Sequence, residues 1–291
     1  MTNHRASMTN HKAGKAILIL VYALAVVCCA PLQPPSATVP RANEPPYPVL
    51  LKEDIRRKDS AILAVDKLLP QSGDPRARDF ELQPITSTIQ SLPATSSTPL
   101  LLPKIGGAAV MNEEEIRESL RRFIKNWQQL IGSDPAKLSL VERLDQPDGS
   151  KLANYEQRPF RYPIRGGYGK LQIRFTPGRH VINISSTCIP DADRIQTALA
   201  AVSVRLNVED AIKQLHDNDI IYRGANGNTL SFRLPATSEE TPRGLVVYIR
   251  PSNDRPDALD IHLAWEIELS NAPIKTAYVD AVNGAILPPA V

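Results

Sequence analysis

The chain has 291 residues, 34 basic and 31 acidic side chains, a net charge of +3 and three cysteines. All of the excess cations, Arg5, Lys12 and Lys15, fall in the first 30 residues, which hold no acid; 34 − 3 leaves 31 basic against 31 acidic side chains beyond them. A neutral remainder argues against sequence-independent nucleic-acid binding, which needs cations to neutralise phosphates, while the length is enough for two ordinary domains.

Residues 1–30 read as an export signal. A basic start leads into an apolar run from Ala16 to Ala30 broken only by Tyr22, and ~15 residues fall short of the ~20 that span a bilayer. Met-Thr-Asn-His occurs at 1–4 and again at 8–11, so Met8 is an alternative start. Cys28 and Cys29 close the run and are candidates for lipid attachment, as in a bacterial lipoprotein; plain secretion and an uncleaved membrane stub stay open. The expected location is exported: periplasmic, membrane-anchored or extracellular. Without the signal only Cys188 remains, which argues against an intramolecular disulfide and reads as a small buried apolar side chain.

Residues 31–110 hold 13 of the 26 prolines. Proline removes a donor and fixes φ, so the expectation is a Pro/Ser/Thr-rich tether of low order. Inside it, Glu53 to Leu69 carries a faint helical pattern with Ile55, Ile62, Val65 and Leu69 on one side. From Asn112 the signals sharpen. Ile116, Leu120, Phe123, Trp127, Leu130 and Ile131 recur at helical spacing, Asn112 and Glu115 form a capping box, and Gly132 is the stop.

Leu171, Ile173 and Phe175 alternate as a strand, Pro177-Gly178 turns, and Val181 to Ser185 returns. A loop over 191–201 leads to a short helix capped by Asn207 with Ala211, Ile212 and Leu215 inward. Strands follow at Leu230 to Leu234 and Leu245 to Ile249. Ile261, Leu263, Trp265, Ile267 and Leu269 then alternate with Asp260, His262, Ala264, Glu266 and Glu268, which places His262 and the two glutamates on an outward, solvated face. Asn283-Gly284 predicts a tight type I′ hairpin before Ile286 and Leu287. The fold class expected from this order is α+β, two small modules in series, each a helix on an antiparallel sheet.

Two stretches resemble known families. Tyr155, Gln157, Phe160, Pro163, Ile164, Gly166, Gly167, Leu171 and Ile173 resemble the signature of the fungalysin/thermolysin propeptide domain, with two residues inserted before Leu171 and the usual glycine near Arg161-Tyr162 replaced. Ala277-Tyr-Val-Asp-Ala-Val-Asn-Gly-Ala-Ile-Leu287 resembles the closing hairpin of a PepSY domain. The resemblance covers roughly 111–288 and implies a propeptide-like module over 111–190 and a PepSY-like module over 191–291. Such modules accompany metallopeptidases as chaperones and inhibitors, and the expectation here is the two modules without the catalytic domain.

The residues themselves offer no reaction centre. The histidines, His4, His11, His180, His216 and His262, show no i, i+4 pair around a Glu as a zinc peptidase needs, and no Gly-x-Ser-x-Gly elbow occurs. Gly166-Gly-Tyr-Gly-Lys170 imitates a phosphate loop but leads into a strand. Arg158, Arg161, Arg165, Lys170, Arg174 and Arg179 make a basic stretch, read as a solvated sheet face in preference to a polyanion site. No catalytic, cofactor or metal residue is therefore expected, and the chain is read as a non-enzyme. The expected function is a free-standing propeptide-like binder, inhibitor or folding chaperone of an extracellular metallopeptidase. The tail Leu287, Pro288, Pro289, Ala290 and Val291 is its candidate partner-binding segment. The alternative is a tethered envelope lipoprotein with a structural, assembly or ligand-sensing role.

Overall fold

The computed structural model describes residues 46–68, 80–93, 100–107, 110–224 and 226–289. The predicted signal with Cys28 and Cys29 lies outside them, as do Ala290 and Val291 of the tail. The elements are β1 (Val49–Lys52), α1 (Ile55–Leu68), β2 (Glu81–Leu82), β3 (Ile89–Pro93), α2 (Glu113–Asn126) and α3 (Gln128–Ile131). A 3-10 turn (Pro135–Lys137) precedes β4 (Leu138–Asp145), β5 (Lys151–Gln157), β6 (Ile164–Arg165), β7 (Lys170–Phe175) and β8 (Val181–Ser186). After α4 (Ala192–Ala200) and α5 (Val208–Asp217) come β9 (Ile220–Arg223), β10 (Thr229–Phe232), β11 (Glu240–Pro251), β12 (Ala258–Leu269), β13 (Thr276–Asp280) and β14 (Ile286–Leu287). The class is α+β.

The first sheet runs β2-β3-β8-β7-β5-β4, antiparallel throughout. Its inward side chains Ala153, Tyr155, Leu171, Ile173, Phe175 and Ile184 meet α2, whose Ile116, Leu120, Phe123 and Ile124 are buried. The sequence dictates this helix well: Asn112 accepts from the Glu115 amide, and the Glu115 carboxylate accepts from the Asn112 amide, satisfying two of the donors a helix start leaves orphaned. Trp127 breaks the predicted single helix into α2 and α3, with its ring stacked 5.3 Å from Phe123. Gly132 ends α3 at φ 79°, the left-handed cap that glycine adopts without a Cβ clash.

The second sheet runs β14-β13-β12-β11-β6, with β1 also on β12. Along one side of β12, β1 pairs with Ala258 to Ile261 and β13 with Ala264 to Glu268, so the two lie end to end. On one face, Val247, Ile249, Leu259 and Ile261 pack with β1 and α4, while Ile267, Leu269, Ala277 and Val279 pack with α5. Asn207 caps α5 by accepting from the Asp210 amide, as its sequence predicts.

Several expectations need correcting. The tether assignment fails for 46–68, 80–93 and 100–105: β1 buries Val49 and Leu51, Ile89 and Leu102 are fully buried, and β3 joins the first sheet. Proline density misled because Pro46 and Pro48 precede β1 and Pro93 ends β3, positions where a missing donor costs little. The helix in this stretch turns Ala61, Ala64 and Val65 inward and leaves Ile55 73% exposed. Residues 191–201 are the helix α4 with Ile195 buried, in place of a loop. In the turn predicted at Pro177-Gly178, the left-handed position falls to Arg179, at φ 72°. The last hairpin is no two-residue type I′ turn: Asp280 accepts from the Val282 and Asn283 amides, and only Gly284 has positive φ. The two predicted modules are also knitted together. β6, from the first, pairs parallel with β11 of the second, and residues 42–291 form one compact unit.

Candidate functional site

The loop that leaves β5, forms β6 and enters β7 is held by side chains chosen for the task. Gln157, 3% exposed, clamps the backbone at Ile189: its Nε2 donates to the carbonyl at 2.9 Å and its Oε1 accepts the amide at 2.7 Å. Phe160 is buried in the core shared by β1, α4, β11 and β12, with Tyr162, Ile164 and Tyr168 against it. At Gly166, φ 90°, a Cβ would lie 1.9 Å from the Ile249 carbonyl oxygen. Only glycine lets β6 approach β11 that closely.

This loop forms one wall of an open groove of about 910 Å³. The opposite wall comes from Tyr248, Lys275, Thr276 and Tyr278, with Arg223 and Pro289 at the rim. The rings of Tyr248 and Tyr278 lie 4.3 Å apart, and Tyr248 Oη donates to the Pro288 carbonyl at 2.5 Å. Beneath them Arg165 grips Glu266 with two bonds, Nε to Oε1 at 2.7 Å and Nη2 to Oε2 at 3.2 Å, and Tyr278 Oη donates to the same carboxylate. Glu266 therefore holds Arg165 further into its charged range, while burial and then the Glu266 charge push the Tyr278 hydroxyl up. Both groups keep one protonation state at neutral pH and shape the floor.

The rim is cationic. Arg161, Lys170, Arg223 and Lys275 are exposed and have no carboxylate within ion-pair distance among the described residues. Arg161 sits 5.4 Å over the Tyr162 ring, and the single lining acid, Glu156, is paired with Arg158 at 3.3 Å. The predicted basic stretch thus divides: Arg158, Arg161, Arg165 and Lys170 line one groove, whereas Arg174 pairs with Asp148 and Arg179 donates to the Leu102 carbonyl.

A second cluster lies along the same face. His262, read as an outward surface residue, is 4% exposed, and its Nδ1 is 2.7 Å from Asp280 Oδ2. Tyr47 Oη bonds both Asp280 oxygens at 3.0 Å and accepts the Leu263 amide at 3.0 Å. This hydroxyl fills the gap between the ends of β1 and β13, where no strand partners Leu263. Period-two reasoning failed here because Tyr47 and the C-terminal tail cover the face that an isolated hairpin would expose. Leu287 is 2% exposed and Pro288 is bound by Tyr248, so these two members of the predicted partner-binding tail hold the chain's own sheet; Pro289 borders the groove.

The remaining candidates are placed apart. Cys188 is fully buried, and burial pushes its thiol up to about 12. His216 faces Glu240 at 3.1 Å. Glu268 leaves Glu266 to pair with Arg243. Among the described residues no group of three or more His, Cys, Asp or Glu side chains could hold a metal ion, and no helix is long and apolar enough to cross a membrane. Sequence reasoning missed Tyr248, Tyr278, Arg223 and Lys275. The detectable signal was Tyr278, which with Glu266 shares the even phase of neighbouring strands and pairs with it directly.

No protein-family model matches the chain, and no curated protein matches it. Among solved structures, one that it is similar to is described as an uncharacterized protein from Eubacterium rectale ATCC 33656, aligned over 80% of each chain at 10% identity with a TM-score of 0.28.

Proposed function

We propose that this protein is an exported, non-catalytic docking protein that engages another protein as a free-standing propeptide would, with a secreted thermolysin-like metallopeptidase as its partner. The observation that carries the reading is positional. The stretch from Tyr155 to Leu171, which bears the propeptide resemblance, also supplies one wall of the open groove through residues between Glu156 and Lys170. Its resembling residues are the ones with structural duties there: Gln157 clamps Ile189, Phe160 anchors the loop and Gly166 permits contact with Ile249. An exposed, preformed surface with aromatic and arginine side chains is the composition that protein interfaces favour.

The test is to purify residues 46–291 and measure inhibition and refolding of thermolysin-like peptidases from the same source. Inhibition or faster refolding, weakened by substitutions at Arg161 and Lys275, is the expected result. Neither effect with any such peptidase would remove the reading.

A different observation favours the second reading, an assembly role in the cell envelope. Strand β4 is an outer edge of the first sheet and exposes Leu140, Val141 and Leu144. An open edge with apolar side chains invites a further strand. Cross-linking in intact cells that traps envelope components through β4, with no peptidase, would support that role.

A further inference from the structure

We infer that the groove between the β5–β7 loop and β13 takes an acidic, extended polypeptide segment, and that its charged rim selects for glutamate and aspartate. The inference deepens the docking reading by naming the chemistry of the segment bound, and it rests on the same groove.

Charge is the first argument. Four cations, Arg161, Lys170, Arg223 and Lys275, surround one opening and lack acidic partners among the described residues, while the only lining acid is already paired with Arg158. In a chain whose charges balance beyond residue 30, such a concentration at one place is a local field, and it attracts anions at short range. Arg165, the central lining cation, is neutralised by Glu266 behind it, so the unsatisfied positive charge sits at the edges where a ligand's side chains would reach.

The second argument separates a polypeptide from other anions. Between the cations lie Ile164, Ile274, Tyr162 and Tyr278, half-buried and apolar in large part. A segment that alternates acidic and apolar side chains satisfies both at once, because successive side chains of an extended chain point to opposite sides. A nucleic acid would need ring faces free for stacking. Tyr248 is fully buried and covers one face of Tyr278, and Arg161 covers Tyr162. A sugar would need the same free ring faces for its C–H groups, and a phosphate polymer has no use for the apolar side chains. The volume, about 910 Å³, lies at the upper end of the ~300–1,000 Å³ typical of ligand sites and is open enough for a chain to pass through.

The experiment is fluorescence anisotropy with residues 46–291 and a labelled octapeptide of alternating glutamate and tyrosine. The controls are the same peptide with lysine for glutamate, and inorganic polyphosphate. Saturable binding of the acidic peptide that weakens with added salt is expected, with no binding of the basic one. The double variant Arg161→Ala, Lys275→Ala should weaken binding about tenfold, as two exposed ion pairs of roughly threefold each multiply. Glu156→Gln, which removes the competing acid, should strengthen it about twofold. All three positions lie on the surface, and an unchanged thermal midpoint shows the variants folded. Absence of acidic-peptide binding, equal affinity for both peptides, insensitivity to the double variant, or tighter binding of polyphosphate at equal charge would each overturn the inference. Because no peptidase is present, failure here is distinct from failure of the docking reading.

Discussion

Replacing Tyr47 by phenylalanine isolates one hydroxyl that joins distant parts of the chain. The ring, set edge-on to His262 at 5.9 Å, stays in place, so apolar contact is conserved. What disappears is the acceptor for the Leu263 amide at 3.0 Å and a donor to the Asp280 carboxylate at 3.0 Å. Leu263 is 4% exposed, and a buried donor left without a partner costs ~1–3 kcal/mol. The carboxylate keeps the Val282 and Asn283 amides and His262, so its loss is smaller, ~1 kcal/mol. The sum is about 3 kcal/mol, or a fall of about 6–12 °C in Tm for a domain of this size. Urea unfolding followed by fluorescence reads the change at constant m-value. Trp127 reports on the first sheet and Trp265 on the second. A loss under ~0.5 kcal/mol would show that water replaces the hydroxyl, and would refute the claim that it completes the sheet.

Other outcomes follow from the same geometry. Gly166→Ala should cost ~2–4 kcal/mol, from strain at φ 90° plus the clash with Ile249, and hydrogen exchange should show faster opening of the Val247 amide bonded to Pro163. Gln157→Leu should cost ~2–4 kcal/mol by orphaning both backbone groups of Ile189, measured by chemical denaturation. Cys188, whose thiol burial holds near 12, should resist alkylation in the native state at mildly alkaline pH and react only at the rate of unfolding, read by mass spectrometry. Burial raises Tyr155 from 10.0 to about 12. A raised folded value means the contribution to stability is complete below pH 10 and is lost as pH rises toward 12. Tyrosinate absorbance should therefore rise in two steps, the second coinciding with loss of fold.

Much of the architecture was legible where local and long-range demands agree. Asn112 and Glu115 cap a helix whose apolar stripe is also the core stripe, so local chemistry sufficed. Leu171, Ile173 and Phe175 alternate inward as a strand with one wet face should. Legibility failed where a distant segment supplies the environment. Nothing near His262 announces that Tyr47 will cover it, and nothing in a proline-rich stretch announces that Val49 and Leu51 have a partner strand in β12. The groove was half visible: Arg158 to Lys170 was noticed as basic, yet its significance depends on Tyr278 and Lys275, which only the pairing of β6 with β11 brings opposite. Cys188 was read correctly because a solitary thiol without a neighbouring base has one inexpensive resting place.

The Tyr47 junction constrains how the chain can mature. Tyr47 and Leu263 are separated by 216 positions, so β1 must wait, with Val49 and Leu51 uncovered, until its partner residues 258–261 have emerged. Loop closure over such a span is slow compared with hairpin formation. Until β1 docks, the second sheet has a vacant half-edge beside residues 258–261, open to a stray strand from another molecule. The time β1 takes to dock sets the window for misassembly.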